Sequence, residues 1–285
     1  MQDIIKKADV LIEALPYIHE FRKKIFVIKY GGSILGDEKI RKSVLEDIVF
    51  LSFVGIKPIL VHGGGPSITE AMKQLGKPAQ FHDGIRVTDS ETLKVVADEL
   101  VKLNHLIVKE IKELKGDAGS LNASGEVIRA KKKEVKGKVD LGFVGEISSI
   151  NKPLIIERLR GVHIPVVCPM AKDGRRQLYN VNADEAASAI AVELEAEKFV
   201  LLTNVKGVMR NIEDHESFLS SLNIKEAKSL IKQHVIQEGM IPKLKACINT
   251  VDGGVKKTHI IDAKTPHALL LEIFTNEGIG TEITP

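Results

Sequence analysis

Ile25-Phe-Val-Ile-Lys-Tyr-Gly-Gly32 and Pro58-Ile-Leu-Val-His-Gly-Gly-Gly-Pro66 are the stretches that decide the fold. Each is a short apolar run that ends in glycines and gives way to a helical pattern. Runs of this length without alternation read as strands buried on both faces. A helical pattern at about 40–53 separates them, and Pro66 suits the first turn of the next helix, where its missing N–H costs nothing. The alternation resumes at Ile164-Pro-Val-Val-Cys168, with a turn at Asp173-Gly174 and a helical run at 183–194. Lys198-Phe-Val-Leu-Leu-Thr203 and His259-Ile-Ile261 read as later strands. Strands alternating with helices predict an α/β fold with a largely parallel sheet and helices on both faces.

Outward from that frame, Ile4, Ile5, Ala8, Leu11, Ile12 and Leu15 form a helical apolar stripe, which Pro16 is expected to close. Thr88 to Glu91 has the spacing of a capping box and opens a helix expected to reach about 114. Residues 116–150 are rich in Gly, Lys and Val and suggest hairpins. No internal repeat, linker or low-complexity tract is visible.

The 285 residues, 44% hydrophobic and 28% charged, carry a net charge of +3, too little to argue for a polyanionic partner. Nucleic-acid binding is therefore not expected. Cys168 and Cys247 stand alone, away from any Cys/His cluster, and read as buried thiols of a reducing compartment rather than metal ligands. No run approaches the ~20 apolar residues of a membrane span. Residues 1–15 carry acidic groups and lack the pattern of a signal peptide, so a cytoplasmic protein without a membrane anchor is expected.

Glycines at the ends of buried strands let the backbone approach a ligand, and the helices that follow offer free N–H groups to an anion. The common nucleotide motifs fail. Gly31 to Gly36 has P-loop spacing, but Asp37 follows where Lys-Ser/Thr is needed, and 63–68 lacks the third Rossmann glycine. The turns alone leave an anion site or a purely structural role open. Lys29 ends an apolar strand, where an edge position or a crevice-facing one both fit. Asn180-Val-Asn-Ala-Asp184 opens a helix, with Asn182 or Asp184 either capping it or serving a site. Lys243, in Gly239-Met-Ile-Pro-Lys243, stands in a first helical turn, which the helix dipole disfavours for a cation unless an anion faces it.

Together these segments resemble the acetylglutamate kinases of the amino acid kinase family, in their arginine-sensitive branch. The resemblance runs through Val27-Ile-Lys-Tyr-Gly-Gly32, Val61-His-Gly-Gly-Gly-Pro66 and Asp83-Gly-Ile-Arg-Val-Thr-Asp89. It continues through Asp140-Leu-Gly-Phe-Val-Gly145, Tyr179-Asn-Val-Asn-Ala-Asp184, Ala196-Glu-Lys198 and Gly239-Met-Ile-Pro-Lys243. It implies an open αβα sandwich with a mainly parallel central sheet plus an N-terminal helix. The expected divisions are 1–24 for an oligomerisation helix, 25–178 for the acetylglutamate lobe and 179–285 for the ATP lobe.

The implied reaction is ATP-dependent phosphorylation of the side-chain carboxylate of N-acetyl-L-glutamate in arginine biosynthesis, with Mg²⁺ accompanying ATP and no protein-bound metal. Lys29 and Lys243 resemble the transition-state lysines and Asp184 the carboxylate that positions them. Gly32, Gly64, Gly65, Arg86, Asn180 and Asn182 resemble the acetylglutamate contacts. Gly31, Thr203, Asn204, Val205, Lys206, Gly207, Val208, Val235, Ile236, Gln237 and Met240 resemble the ATP contacts. A glutamate-type carboxylate, with its reference pKa of ~4.3, is ionised at neutral pH and needs no general base. Phosphoryl transfer then depends on alignment and charge neutralisation, work suited to lysines, glycine N–H groups and Mg²⁺.

Asn204, where many relatives carry an acid, and the altered segment 116–125 depart from the pattern. Tyr17, His267, Glu272, Gly278 and Gly280 resemble an arginine-inhibition site, which implies a hexamer, a trimer of dimers joined through residues 1–15. Three rivals stand beside this reading: a sister kinase for N-acetyl-2-aminoadipate, a non-catalytic arginine-sensing subunit, and an interaction module. The last would use the basic run Arg129, Lys131, Lys132, Lys133, Lys136 and Lys138, which is either a solvated hairpin or a dock for a PII-type regulator.

Overall fold

A computed structural model describes residues 2–122, 124–135, 139–161, 164–211, 213–236, 239–275 and 278–285, with side chains of the first helix from residue 12 onward. The eight strands of its large sheet are β1 (Ile25–Tyr30), β2 (Lys57–His62), β3 (Ala118–Leu121), β4 (Ile164–Val167), β5 (Lys198–Thr203), β6 (Ser221–Asn223), β7 (Lys257–Asp262) and β8 (Thr281–Thr284). Their spatial order is β6-β8-β7-β5-β1-β2-β4-β3. Every neighbouring pair is parallel except β7 with β8. The chain leaves β1 for β2 on one side and later lays β5 on the other. Such a reversal of strand order opens a crevice at the carboxyl ends of those strands.

The helices form two layers. One holds α1 (Gln2–Phe21), the short α2 (Gly32–Leu35), α3 (Glu38–Phe53), α4 (Gly65–Gln74) and α5 (Ser90–Glu113). The chain then adds α6 (Lys152–Gly161), α7 (Ala183–Glu193), α8 (Ile224–Lys232) and α9 (Ile241–Asp252) on the opposite face, and α10 (Ala268–Phe274) back on the first. Strand residues alternate between the layers. Val27, Ile59, Val61 and Leu201 face the α7–α9 side, while Phe26, Ile28, Leu60 and Val200 face the α3 side. Lys29 shares the parity of Val27, so its side chain leaves the strand end toward α7. A smaller four-stranded sheet covers α7, with Leu178–Asn180 beside Met170–Lys172, then Ile128–Lys132, then Gly145–Ile150.

Several local expectations need correction. Pro16 does not close α1, which runs to Phe21. Tyr17 and Ile18 pack on the core beyond the proline and Phe21 is buried in it, which outweighs one missing backbone bond. The cap of α5 is Asp89, whose carboxylate accepts from Thr92 N at 2.8 Å, one residue later than the capping box predicts. Residues 118–121 are no hairpin arm, because they pair in parallel with β4 at the sheet edge. Among the described residues of 116–150, the antiparallel pair is Ile128–Lys132 with Gly145–Ile150. Cys168 and Cys247 are buried, as expected. The stripe positions Ile4, Ile5, Ala8 and Leu11 lie outside the described side chains, as Lys136, Lys138 and Gln237 lie outside the described residues. Among the described residues no helix is long and apolar enough to cross a membrane.

Candidate active site

A cleft of about 320 Å³ opens at the carboxyl ends of β1, β2 and β5. Its centre is an ion-paired triad. Lys29 Nζ lies 2.7 Å from Asp184 Oδ1, and Lys243 Nζ lies 3.7 Å from Asp184 Oδ2. The side chain of Asn182 caps α7, accepting from the backbone N–H of Asp184 at 2.8 Å and of Glu185 at 3.1 Å. Asp184, in the first turn, is therefore released from capping and turns its carboxylate to the lysines. Burial pushes the Asp184 pKa upward, but the charges of Lys29 and Lys243 outweigh it and hold the carboxyl below its ordinary value. The triad is thus a fixed, ionised cluster whose two cations exceed its one anion.

The glycine turns form the floor. Gly31 N donates to Leu202 O at 3.1 Å and Gly63 N to Tyr30 O at 2.9 Å, which ties the ends of β1, β2 and β5 together. A Cβ on Gly32 would stand 2.8 Å from Gly65 N and 3.1 Å from Gly64 N, so only glycine lets the two turns meet. Among the described residues the N–H groups of Gly32, Gly64 and Gly65 donate to no protein acceptor. With the starts of α2 and α4 they make a nest of free donors.

Arg86 forms the wall. Its Nη2 donates to Thr69 Oγ1 at 2.7 Å and to Gly65 O at 3.0 Å, and its guanidinium stands 4.7 Å from the centre of the Phe81 ring. Burial lowers its pKa, and no carboxylate among the described residues pairs with it. A buried guanidinium without a counter-ion is a place for an anion. Asn180 stands beside it, donating to Thr88 Oγ1 at 3.3 Å.

The cleft thus gathers Lys29, Lys243, Asp184, Gly32, Gly64, Gly65, Arg86, Asn180 and Asn182, with Gly31, Thr203 and Asn204. Val205, Lys206, Gly207, Val208, Val235, Ile236 and Met240 do not line it. Val208 and Ile236 bury their side chains in the core, because the strand Val208–Met209 pairs with Phe218–Leu219 and turns Val208 inward. The Thr203 hydroxyl bonds within its own turn, to Val205 O at 2.9 Å. Lys133 also lines the cleft, pairing with Glu185 at 2.8 Å. In the sequence it is one lysine of a basic run, and nothing there separates it from its solvated neighbours. An adjoining groove of about 1270 Å³ between Gly145–Ile150 and helices α7 and α9 shares Asn182, Asp184 and Lys243. Among the described residues no group of three or more His, Cys, Asp or Glu is gathered as a metal site.

Tyr17, Glu272, Gly278 and Gly280 line a separate cavity of about 520 Å³ under α1, together with Lys198 and His259. His267 is not part of it. It adopts a left-handed conformation before α10 and pairs through Nδ1 with the buried Asp47 at 2.7 Å, which turns its ring toward α3. Glu272 Oε1 accepts from His259 Nδ1 at 2.7 Å, and its Oε2 from Ile279 N at 2.7 Å and Gly280 N at 3.0 Å.

A model of the amino acid kinase family matches residues 24–262. The acetylglutamate kinase of Halothermothrix orenii is 46% identical over 286 residues, covering 99% of this chain and 99% of the relative. That of Caldanaerobacter subterraneus subsp. tengcongensis is 48% identical over 283 residues, covering 99% and 94%. That of Methanocaldococcus jannaschii is 46% identical over 294 residues, covering 100% and 98%. Among solved structures, N-acetylglutamate synthase from Neisseria gonorrhoeae complexed with coenzyme A and N-acetyl-glutamate superposes with a TM-score of 0.88 at 24% identity. The match covers 98% of this chain but 63% of that one. Carbamate kinase from Giardia lamblia bound to AMP-PNP superposes at 0.68 with 18% identity, covering 92% and 98%. Both structural likenesses show the fold. The chain belongs to the amino acid kinase family and, within it, to the acetylglutamate kinases.

Proposed function

We propose that the chain transfers the γ-phosphoryl group of ATP to the side-chain carboxylate of N-acetyl-L-glutamate, as a cytoplasmic step of arginine biosynthesis. The observation that carries the reading is the Lys29–Asp184–Lys243 triad standing between unused glycine donors and an unpaired arginine. Arg86 and Asn180 hold the substrate's own carboxylate and amide, which leaves the acceptor carboxylate to approach the triad. Lys29 and Lys243 neutralise charge on the transferred group, with Gly32, Gly64 and Gly65 donating N–H bonds to its oxygens. Asp184 holds both ammonium groups in place and takes no proton. Mg²⁺ enters with the ATP phosphates. The nucleoside lies against the turn after β5, where Asn204 and Lys206 are exposed.

Residues 25–178 act as the acetylglutamate lobe and 179–285 as the ATP lobe, joined by one continuous sheet. The second cavity takes arginine as an inhibitor, with Glu272 accepting the guanidinium. Residues 1–24 join subunits into a hexamer, which is supported by the exposed apolar side chains of Ile12 and Leu15. In the basic hairpin Lys131, Lys132 and Lys133 pair with Glu146, Asp140 and Glu185 of the same chain, which supports a solvated hairpin over a dock for a PII-type regulator.

A coupled assay of ADP release with N-acetylglutamate, glutamate and N-acetyl-2-aminoadipate in parallel tests the substrate. Turnover with the first alone is expected. A preference for the aminoadipate, whose chain is one methylene longer, would reassign the acceptor and leave the kinase chemistry.

A further inference from the structure

His62 ends β2 directly before Gly63-Gly64-Gly65, and it is wholly enclosed on the face opposite Lys29. Its Nδ1 lies 3.1 Å from Gly63 O. A carbonyl can only accept, so Nδ1 carries the proton. Nε2 is then an acceptor, and it faces the amide of Asn104 at 3.2 Å and the thiol of Cys168 at 3.5 Å. Asn104 Nδ2 gives its other hydrogen to Val166 O at 2.9 Å. The tautomer is therefore set from both sides of the ring.

The consequence reaches the cleft through one peptide unit. Gly63 O and the Gly64 N–H belong to the same planar trans peptide and point in opposite directions. With the oxygen held against the buried imidazole, the N–H is turned toward the other side. There the Gly64 nitrogen lies 3.1 Å from the place a Cβ on Gly32 would occupy, on the cleft floor. Glycine peptides rotate freely, so a loop of three of them needs an external hold to keep one donor direction.

We infer that His62 is a positioning residue of the kinase, whose Nδ1–H locks the Gly63–Gly64 peptide so that the Gly64 N–H is aimed at the transferred phosphoryl group. This rests on the kinase reading above. Burial lowers the His62 pKa to about 4, so the ring is neutral at physiological pH and supplies orientation rather than a proton.

The test compares His62→Asn with His62→Gln in the full-length protein. An Asn amide nitrogen falls near the place of Nδ1, whereas a Gln amide falls near Nε2 and cannot reach Gly63 O. His62→Asn is expected to keep kcat within about threefold of the parent, and His62→Gln to lose about tenfold or more, a fraction of the loss on deleting a donor outright. KM for both substrates should stay within about twofold in each variant, because the donor acts chiefly in the transition state. Equal losses, a better Gln variant, or a loss confined to KM would overturn the assignment. Should His62→Gln not fold, Asn104→Leu decides. It removes the donor that fixes Nε2 and lies off the cleft, so a lowered kcat at constant KM supports the lock, and an unchanged kcat overturns it. A parent protein that does not turn over N-acetylglutamate would instead sink the kinase reading itself.

Discussion

The two pockets stand at opposite ends of β5, and each holds a nearly buried carboxylate, but they treat it differently. At the carboxyl end Asp184 faces Lys29 and Lys243, while the free N–H groups of the glycine turns are left for something else. At the amino end, where Lys198 begins β5, Glu272 is held by His259 and by the N–H groups of Ile279 and Gly280. Lys198 in turn donates to His259 Nε2 at 3.2 Å, which keeps that histidine neutral and Nδ1-protonated. The first pocket has cations and donors in excess and suits phosphates. The second mixes Glu20, Glu197, Glu272 and Glu282 with Lys198, Lys256 and Lys257, and suits a ligand that carries both charges. Similar burial therefore goes with different electrostatic surroundings, surplus donors in the first pocket and mixed charges in the second.

The contrast is tested most severely at the triad. Lys29→Ala and Lys243→Ala should each lower kcat about 100-fold or more, with smaller effects on the KM for ATP, because charge on the transferred group peaks in the transition state. Steady-state kinetics near the parent values in both variants would remove the first pocket from the chemistry.

A third buried carboxylate sharpens the comparison. Asp47, beneath α10, has its pKa raised from 3.8 to about 6, since burial exceeds the opposing effects of His267 and the N–H groups of Leu269 and Leu270. The folded protein then binds more protons than the unfolded chain between those values, so this group's contribution to stability falls as pH rises through that window. The difference corresponds to roughly 3 kcal/mol. Denaturant titrations at pH 4 and pH 7 should show that Asp47→Asn removes most of this fall. A parent and variant with the same pH dependence would show that His267 compensates Asp47 as fully as the lysines compensate Asp184.

At the amino end, Glu272→Gln should weaken arginine inhibition by about tenfold or more, the loss of one charge-assisted pair, while leaving kcat within about twofold. Deletion of residues 1–15 should weaken both inhibition and assembly in the same assay and in sedimentation. A parent enzyme indifferent to millimolar arginine would end the ligand assignment of this pocket and leave the first untouched. The smallest effect is expected at Arg86→Lys, with KM for N-acetylglutamate rising about tenfold and KM for ATP nearly constant, since an ammonium cannot reproduce the planar fork. A change in the ATP constant instead would place Arg86 on the nucleotide side.

Strands β1 and β5 were legible to the residue because a short, mainly apolar run rich in β-branched and aromatic residues and bounded by turn signals favours a strand. The end of α1 was not. Propensity stops a helix at Pro16, yet Tyr17, Ile18 and Phe21 gain more from packing on the core than the backbone loses at the proline. His267 illustrates the same limit at the second pocket. Its place in the chain sets it near Glu272, but the left-handed turn before α10 sends its ring to Asp47.

By itself the sequence determined the alternation of strands and helices, the glycine-ended crevice and the residue types within it, because these depend on local periodicity and on groups adjacent in the chain. It left open whether Asn182 or Asp184 caps α7, since both side chains can reach the helix start. Only the tertiary structure decided this. The parity of β1 brings Lys29 to that helix end, and the first turn of α9 brings Lys243. Two cations converging on one carboxylate then outweigh its desolvation, leaving Asn182 to cap and Asp184 to hold the lysines. That balance joins residues more than 150 positions apart, roughly beyond the reach of any periodicity along the chain.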